Sequence, residues 1–365
     1  MFLTIIISII TVIILVETLS KRYPKKKFNC ENIKRIPDLN VNRKYSVSSL
    51  TGHNQNSKKD EELGWELEEN SHMKIDIKIP YVQGDMSVNY NLNDVGARSN
   101  VVNTKESNIK KYVGFFGCSI SYGHGLNEKD TFACQLAKKK KFSYLNFAVP
   151  GYSSYQSLMR LKKKINEVKF ETIILGIHKD LERRNTCSIS WSKVINNFWG
   201  IPSILCFNKM SIKTKPLYRL ESKKNFVTLN FFFEILNFIK FFFGSMSFIQ
   251  KHTMKQILLD FKSVCKNNDI ELVIICLENY KSVYEFLNKN NFNWVASELN
   301  LNEKNVDGEY MWQKMPWDNH PNEKANKIYA EKLSEFFETN QRPYNPVLRK
   351  KEMENDDQEY IYPLW

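Results

Sequence analysis

The chain has 365 residues, with 53 Lys and Arg against 40 Asp and Glu for a net charge of +13 and 42 % hydrophobic residues. That leaves room for one large domain with a substantial core, plus appendages. The basic balance suits an anionic membrane face, an acidic glycan or nucleic acid. Its lysines are spread among Asn and Ile, and no zinc-finger, RRM or helix-turn-helix signature supports nucleic acid. The seven cysteines form no C-x-x-C pair, which speaks against a zinc ribbon, any other metal site of that kind, or a thioredoxin-type centre.

Phe2–Val16 is almost unbroken Ile, Leu, Val and Phe, interrupted by Thr4, Ser8 and Thr11. With Glu17–Leu19 it reaches about the least length that spans hydrocarbon as a helix. No small-residue cleavage signal follows, so residues 1–20 are predicted to be an uncleaved, single-pass membrane anchor. Lys21, Arg22 and Lys25–Lys27 come directly after it, and by the charge rule the C-terminal side faces the cytoplasm. Residues 21–60 are basic and polar without sustained periodicity and read as a linker. Residues 61–110 then show alternation at Ile75, Ile77 and Ile79, the pattern of a half-buried strand, and predict a small β lead-in.

From 111 to 345 strands and helices alternate. Strands are predicted at Tyr112–Phe116, Tyr144–Val149, Thr172–Ile177 and Glu271–Leu277, with a shorter one near Phe292–Val295. A helix pattern begins at Asp130. A second carries Tyr155, Leu158, Met159, Ile165 and Val168 on one face, with Lys162–Lys164 on a solvated face. A last helix follows Asn322, which is placed to cap it. Such alternation implies a parallel sheet covered on both faces, a three-layer α/β/α sandwich whose ligands sit at the carboxyl ends of the strands. Residues 183–252 are an insertion in that plan. Within it 231–243 is Phe-rich with Glu234, Asn237 and Lys240 on one helical face, which fits either a helix buried on the core or an interfacial helix. Residues 346–365 form a tail.

Three stretches bear on chemistry. Gly117-Cys118-Ser119 follows the first strand and leads into a polar turn with Gly123 and Gly125, which would expose the Ser119 hydroxyl beside backbone N–H groups. The sequence is not the G-x-S-x-G elbow, since Ser121 holds the fifth position. Asn146–Gly151 follows the second strand and ends in a Pro-Gly turn. Trp317-Asp318-Asn319-His320-Pro321-Asn322 precedes the last helix.

In this order and at these intervals the three blocks resemble the SGNH (GDSL-like) hydrolase superfamily, over roughly residues 111–338. Cys118 stands where that family often has Asp. Asn93-Asp94-Val95-Gly96-Ala97-Arg98 resembles the N-x-x-G-x-R segment of some membrane-anchored members. The resemblance implies a flavodoxin-like α/β/α sandwich, no cofactor, and a relay of Ser119 as nucleophile, His320 as base and Asp318 as its orienting carboxylate. Only Asn319 separates Asp318 from His320, the shorter D-x-H form of acyltransferase-like members.

The resemblance assigns the oxyanion to the backbone N–H groups of Ser119 and Gly151. The family's third donor is an Asn side chain after the third strand. Here Gly176-Ile177-His178-Lys179 puts His178 in that place. Either its imidazole substitutes, Asn185 reaches in, or the hole is incomplete. Arg183 and Arg184 read as ion-pair partners of Glu182 or Asp180, and His124 as a loop residue. Three functions follow: a serine esterase acting on an acylated glycan or lipid, an O-acyltransferase using the same residues, or a module that keeps the fold only to bind. Envelope-modifying relatives work on the side of the bilayer opposite to that given by the charge rule, which leaves the side open.

Overall fold

A computed structural model describes residues 57–60, 62–77, 86–99, 101, 104, 111–186, 188, 191, 201–202, 216–217, 246–314 and 318–339. The predicted anchor at 1–20, the Phe-rich stretch 231–243 and the tail 346–365 lie outside these. Among the described residues no helix is long and apolar enough to cross a membrane.

The central sheet is built from β5 (Tyr112–Phe116), β6 (Tyr144–Asn146), β7 (Phe170–Ile177), β8 (Glu271–Cys276) and β9 (Asn293–Ala296), in spatial order β9-β8-β7-β5-β6. Every pairing within it is parallel. Every residue of β5 is buried, and only the first residue of β8 and the second of β7 are exposed. Continuous burial of this kind requires cover on both faces, which is why these strands read as apolar runs and not as alternations. The cover comes from two helix groups. Phe132–Lys140 (α2) packs against Glu323–Thr339 (α7), while Ser154–Lys164 (α3), Leu181–Asn185 (α4) and Ser247–Asn267 (α5) pack together. α5 begins inside the stretch read as an insertion.

Two helices have defined starts, the first as the sequence implies. Asn322 Oδ1 accepts from the Ala325 N–H at 3.1 Å ahead of α7. Ser153 and Gln156 form a reciprocal capping box at the start of α3. The predicted solvated face of α3 is only partly so: Lys164 is buried, pairs with Glu167 and lies over the Phe147 ring. Its ammonium both pairs with the Glu167 carboxylate and faces the Phe147 ring, and these two contacts offset its burial.

Strand order reverses at β5: its neighbours are β6 on one side and β7 on the other. The crevice beyond the carboxyl end of such a strand is the usual ligand position in an open α/β sheet. Ser119 lies three residues past the end of β5.

The lead-in consists of two antiparallel hairpins, β1 (Ser57–Asp60) with β2 (Gly64–Leu67), and β3 (His72–Ile77) with β4 (Met86–Asn91). Strand β1 takes in the last residues of the stretch read as a linker. After β4 the backbone of Arg98 bridges Asn146 in both directions, at 3.0 and 2.9 Å, and so covers the free edge of β6. Leu63, Trp65, Leu67, Val88, Tyr90 and Leu92 of the hairpins form a second core, which they share with Tyr122, Ala148, Val149 and Tyr152. Those last four lie in or directly beside the two blocks that carry Ser119 and Gly151. The lead-in therefore packs on the functional loops directly.

Candidate active site

β5 is followed by Gly117, whose φ of 146° and crowded surroundings exclude a side chain. A Cβ there would meet Ser121 Oγ at 2.4 Å, and one on Gly176 of β7 would meet the same oxygen at 2.1 Å. Two glycines, one just past β5 and one in the adjacent strand β7, thus clear the space into which Ser121 folds. The segment then turns at once into a short helix, α1 (Ser119–Tyr122), ended by Gly123 in the left-handed region at φ 75°. The sequence predicts a polar turn here. A helix forms instead because the Tyr122 and Gly123 N–H groups find the Cys118 and Ile120 carbonyls at 2.9 and 3.1 Å. Ser119 is its first residue, so the Ser119 N–H belongs to the unpaired first turn of a helix, the type of donor that faces an anion.

Arg98 holds the far end of α1. It is 1 % exposed and donates to the carbonyls of Tyr122, Gly123 and Leu126, while its guanidinium lies 4.9 Å from the Tyr90 ring centre and 5.4 Å from that of Tyr122. A cation placed on the carbonyl end of a helix is favoured by charge and by hydrogen bonding together. The only sequence signal for this role is the N-x-x-G-x-R resemblance.

His320 comes from the opposite end of the chain. It lies in a short strand, β11 (Asp318–Pro321), paired antiparallel with β10 (Gln313–Lys314) across a bulge. Asn322 fixes this segment: Nδ2 donates to the carbonyls of Met311 and Gln313, and its backbone N–H to that of Trp312, all between 2.8 and 3.2 Å. The result is that His320 Nε2 stands 2.8 Å from Ser119 Oγ. That is hydrogen-bond distance for a base removing a hydroxyl proton. The His124 ring packs against His320, centres 4.7 Å apart. His124 is therefore part of the wall of the site, which the loop reading did not anticipate. The Asp318 side chain lies outside the described residues.

Gly151 sits in the Pro150–Gly151 turn at φ 82°, a conformation that disfavours any other residue. The turn is tied to the nucleophile's segment by the Val149 N–H, which donates to the Gly117 carbonyl at 3.2 Å.

His178 and Asn185 are occupied elsewhere. His178 Nε2 is 3.2 Å from Cys118 Sγ, both side chains being buried at the ends of neighbouring strands β7 and β5. Burial, reinforced by Arg184, pushes the imidazole down to about 3, so the ring is neutral at pH 7. Burial also raises the Cys118 thiol, which keeps it protonated and poorly nucleophilic. A single-sequence reading sees a Cys and a His sixty positions apart and has no means of pairing them. Asn185 Oδ1 accepts from the Tyr155 N–H and its Nδ2 lies 3.3 Å from Met254 Sδ, so both ends of the amide serve helix packing. We therefore assign Asn185 no part in an oxyanion hole.

Arg183 and Arg184 both donate from Nε to Asp180, and Arg184 also lies 4.3 Å from the Trp191 ring centre. Burial opposes ionisation of Asp180, but the two guanidinium groups outweigh it and hold the carboxyl at about 2. Glu182 turns to the Tyr280 hydroxyl instead. Among the described residues no group of three His, Cys, Asp or Glu side chains could hold a metal ion.

No protein-family model matches the chain, and no curated protein matches it in sequence. Solved structures do resemble it. One is a member of the lipolytic protein G-D-S-L family from Veillonella parvula, with 12 % identity over 63 % of this chain and 99 % of that one, at a TM-score of 0.36. Another is a GDSL-like lipase from Bacteroides thetaiotaomicron, with 11 % identity over 64 % and 90 %, again at 0.36. A third is an acetyl xylan esterase from the rumen bacterium Butyrivibrio proteoclasticus, with 10 % identity over 64 % of each chain, at 0.35. At this degree of overlap they add no weight to an assignment of chemistry, which has to come from Ser119 and His320 themselves.

Proposed function

We propose that this chain is a serine-dependent ester hydrolase of the SGNH type. The observation that carries the proposal is the 2.8 Å contact between His320 Nε2 and Ser119 Oγ. A serine hydroxyl is a weak nucleophile until a base takes its proton in the transition state, and an imidazole at this distance is placed to do so. Oγ attacks the ester carbonyl while its proton passes to Nε2. The tetrahedral oxyanion collapses, and the leaving alcohol receives that proton. Water then enters, gives a proton to Nε2 and attacks the acyl-enzyme, and Ser119 is restored with release of the acid.

Asp318 is assigned the role of orienting His320. In an extended segment, residues two apart belong to one face, which is the relation the D-x-H spacing needs. The oxyanion is assigned to the backbone N–H groups of Ser119 and Gly151. A third donor, if His178 supplies it, must be Nδ1, because Nε2 is taken by the Cys118 thiol. The substrate class that fits the basic chain and its apolar N-terminal run is an acylated glycan or lipid at a membrane surface, with residues 1–20 as the anchor. Attack by a sugar hydroxyl in place of water would turn the same residues to acyl transfer.

The test is hydrolysis of p-nitrophenyl acetate by the detergent-solubilised full chain. Wild type is expected to turn over, and Ser119→Ala and His320→Ala are each expected to lower kcat by about 10³-fold or more while remaining folded. Wild-type rates no faster than buffer, or a Ser119→Ala protein as active as wild type, would overturn the proposal.

A further inference from the structure

The hairpin β1–β2 is more than a lead-in. Trp65, 3 % exposed in β2, donates its indole N–H to the Pro150 carbonyl at 3.2 Å. That carbonyl belongs to the same peptide unit as the Gly151 N–H. A trans peptide is planar, with its C=O and N–H directed oppositely. Whatever holds the Pro150 oxygen therefore aims the Gly151 N–H the other way, away from the hairpin. Gly151 itself resists rotation little, since a glycine at φ 82° has no Cβ to restrict it. Pro150 contributes no N–H that could anchor the turn from its own side.

The neighbouring contacts fasten the hairpin to this turn and to the helix that follows it. The Tyr152 hydroxyl donates to the Trp65 carbonyl, and the two rings meet edge to face with centres 5.5 Å apart. Gln156 Nε2 donates to the Leu63 carbonyl at 2.8 Å. Lys163 pairs with Asp60 at 2.8 Å further along α3. Of these contacts, the Trp65 bond is the one that acts on the Pro150–Gly151 peptide itself.

We propose that Trp65 is a positioning residue for the oxyanion hole: its indole N–H fixes the plane of the Pro150–Gly151 peptide and so directs the Gly151 N–H at the developing oxyanion. This deepens the esterase reading above and rests on it. It makes the β1–β2 hairpin a working part of the site.

Trp65→Phe removes the donor while keeping an aromatic ring against Tyr152. Lys163→Gln loosens the same hairpin without touching the peptide. With p-nitrophenyl acetate, Trp65→Phe is expected to lower kcat about tenfold with KM little changed, a part of the 10²–10³ that loss of a whole oxyanion donor costs. The rate ratio between an ester and its thionoester should fall in the same variant, because that ratio reports how well the hole discriminates oxygen from sulfur. Lys163→Gln should leave kcat and the ratio at wild-type values.

An unchanged kcat and ratio in Trp65→Phe, or an equal fall in both variants, would overturn the proposal. If wild type neither turns over nor reacts with a fluorophosphonate, the esterase reading fails first and this one with it. Should Trp65→Phe not fold, a crystal structure of wild type phosphonylated on Ser119 decides. A phosphoryl oxygen within hydrogen-bond distance of Gly151 N, with Trp65 Nε1 on the Pro150 oxygen, supports the proposal, and an oxygen out of reach of Gly151 N overturns it.

Discussion

Ser119 and His320 are 201 positions apart in sequence and 2.8 Å apart in space, and each is held by neighbours that take no part in the chemistry. Close by, His178 and Cys118 stay uncharged and Asp180 is paired with Arg183 and Arg184. His178 is the clearest case, because burial lowers its imidazole from the ordinary 6.5 to about 3. The consequence for stability has a definite sign. Below pH 6.5 the unfolded chain takes up a proton that the folded chain refuses until about pH 3, so stability is lost on acidification across that window. At roughly 1.36 kcal/mol per unit, the loss from this one residue between pH 7 and 4.5 is about 3 kcal/mol. Urea unfolding at the two pH values should show that His178→Asn, which cannot titrate, loses less stability on acidification than wild type by about that amount. Equal losses in the two proteins would contradict the assignment of a buried, neutral His178.

At the scale of elements, the strands were legible because buried parallel strands are short apolar runs. The predicted Tyr112–Phe116 is β5 residue for residue, and the other strand ends coincide or move by up to three positions. The three motif blocks were legible for a related reason: glycines mark turns at strand ends, and the Asp-x-His spacing stands just ahead of a capped helix. The pairing partners were not legible. Nothing local in Cys118 or His178 tells of the other, and nothing in Trp65 tells of Pro150, since such contacts are fixed by topology alone. Lys164 shows the same limit, because charge predicts exposure while the contacts of its ammonium with Glu167 and the Phe147 ring accompany burial.

The junction of β5, β7 and α1 illustrates how tightly the elements are fitted. Gly176→Ala places a methyl group 2.1 Å from Ser121 Oγ and 2.9 Å from Leu277 Cδ1, distances that no side chain tolerates. Overpacking of this kind costs about 1–3 kcal/mol. Because α1 carries Ser119, the same change should also reduce ester turnover in protein that remains folded. Thermal unfolding and kcat measured together check this, and a variant with wild-type Tm and wild-type kcat would show that the fit is looser than described.

Over the whole molecule, a parallel sheet brings two blocks to its carboxyl edge at the point where strand order reverses. A small antiparallel pair, β10–β11, delivers the third from the end of the chain. The hairpins ahead of the sheet share their core with the segments that carry Ser119 and Gly151, and Arg98, just after them, covers the free edge of β6. One measurement tests whether these distant segments form a single relay. The folded, detergent-solubilised full chain is treated with a fluorophosphonate, and the modified residue is located by mass spectrometry. The account predicts one label, on Ser119, absent from Ser119→Ala and lost from His320→Ala. A folded wild-type protein that takes no label, or takes it on another residue, would contradict it.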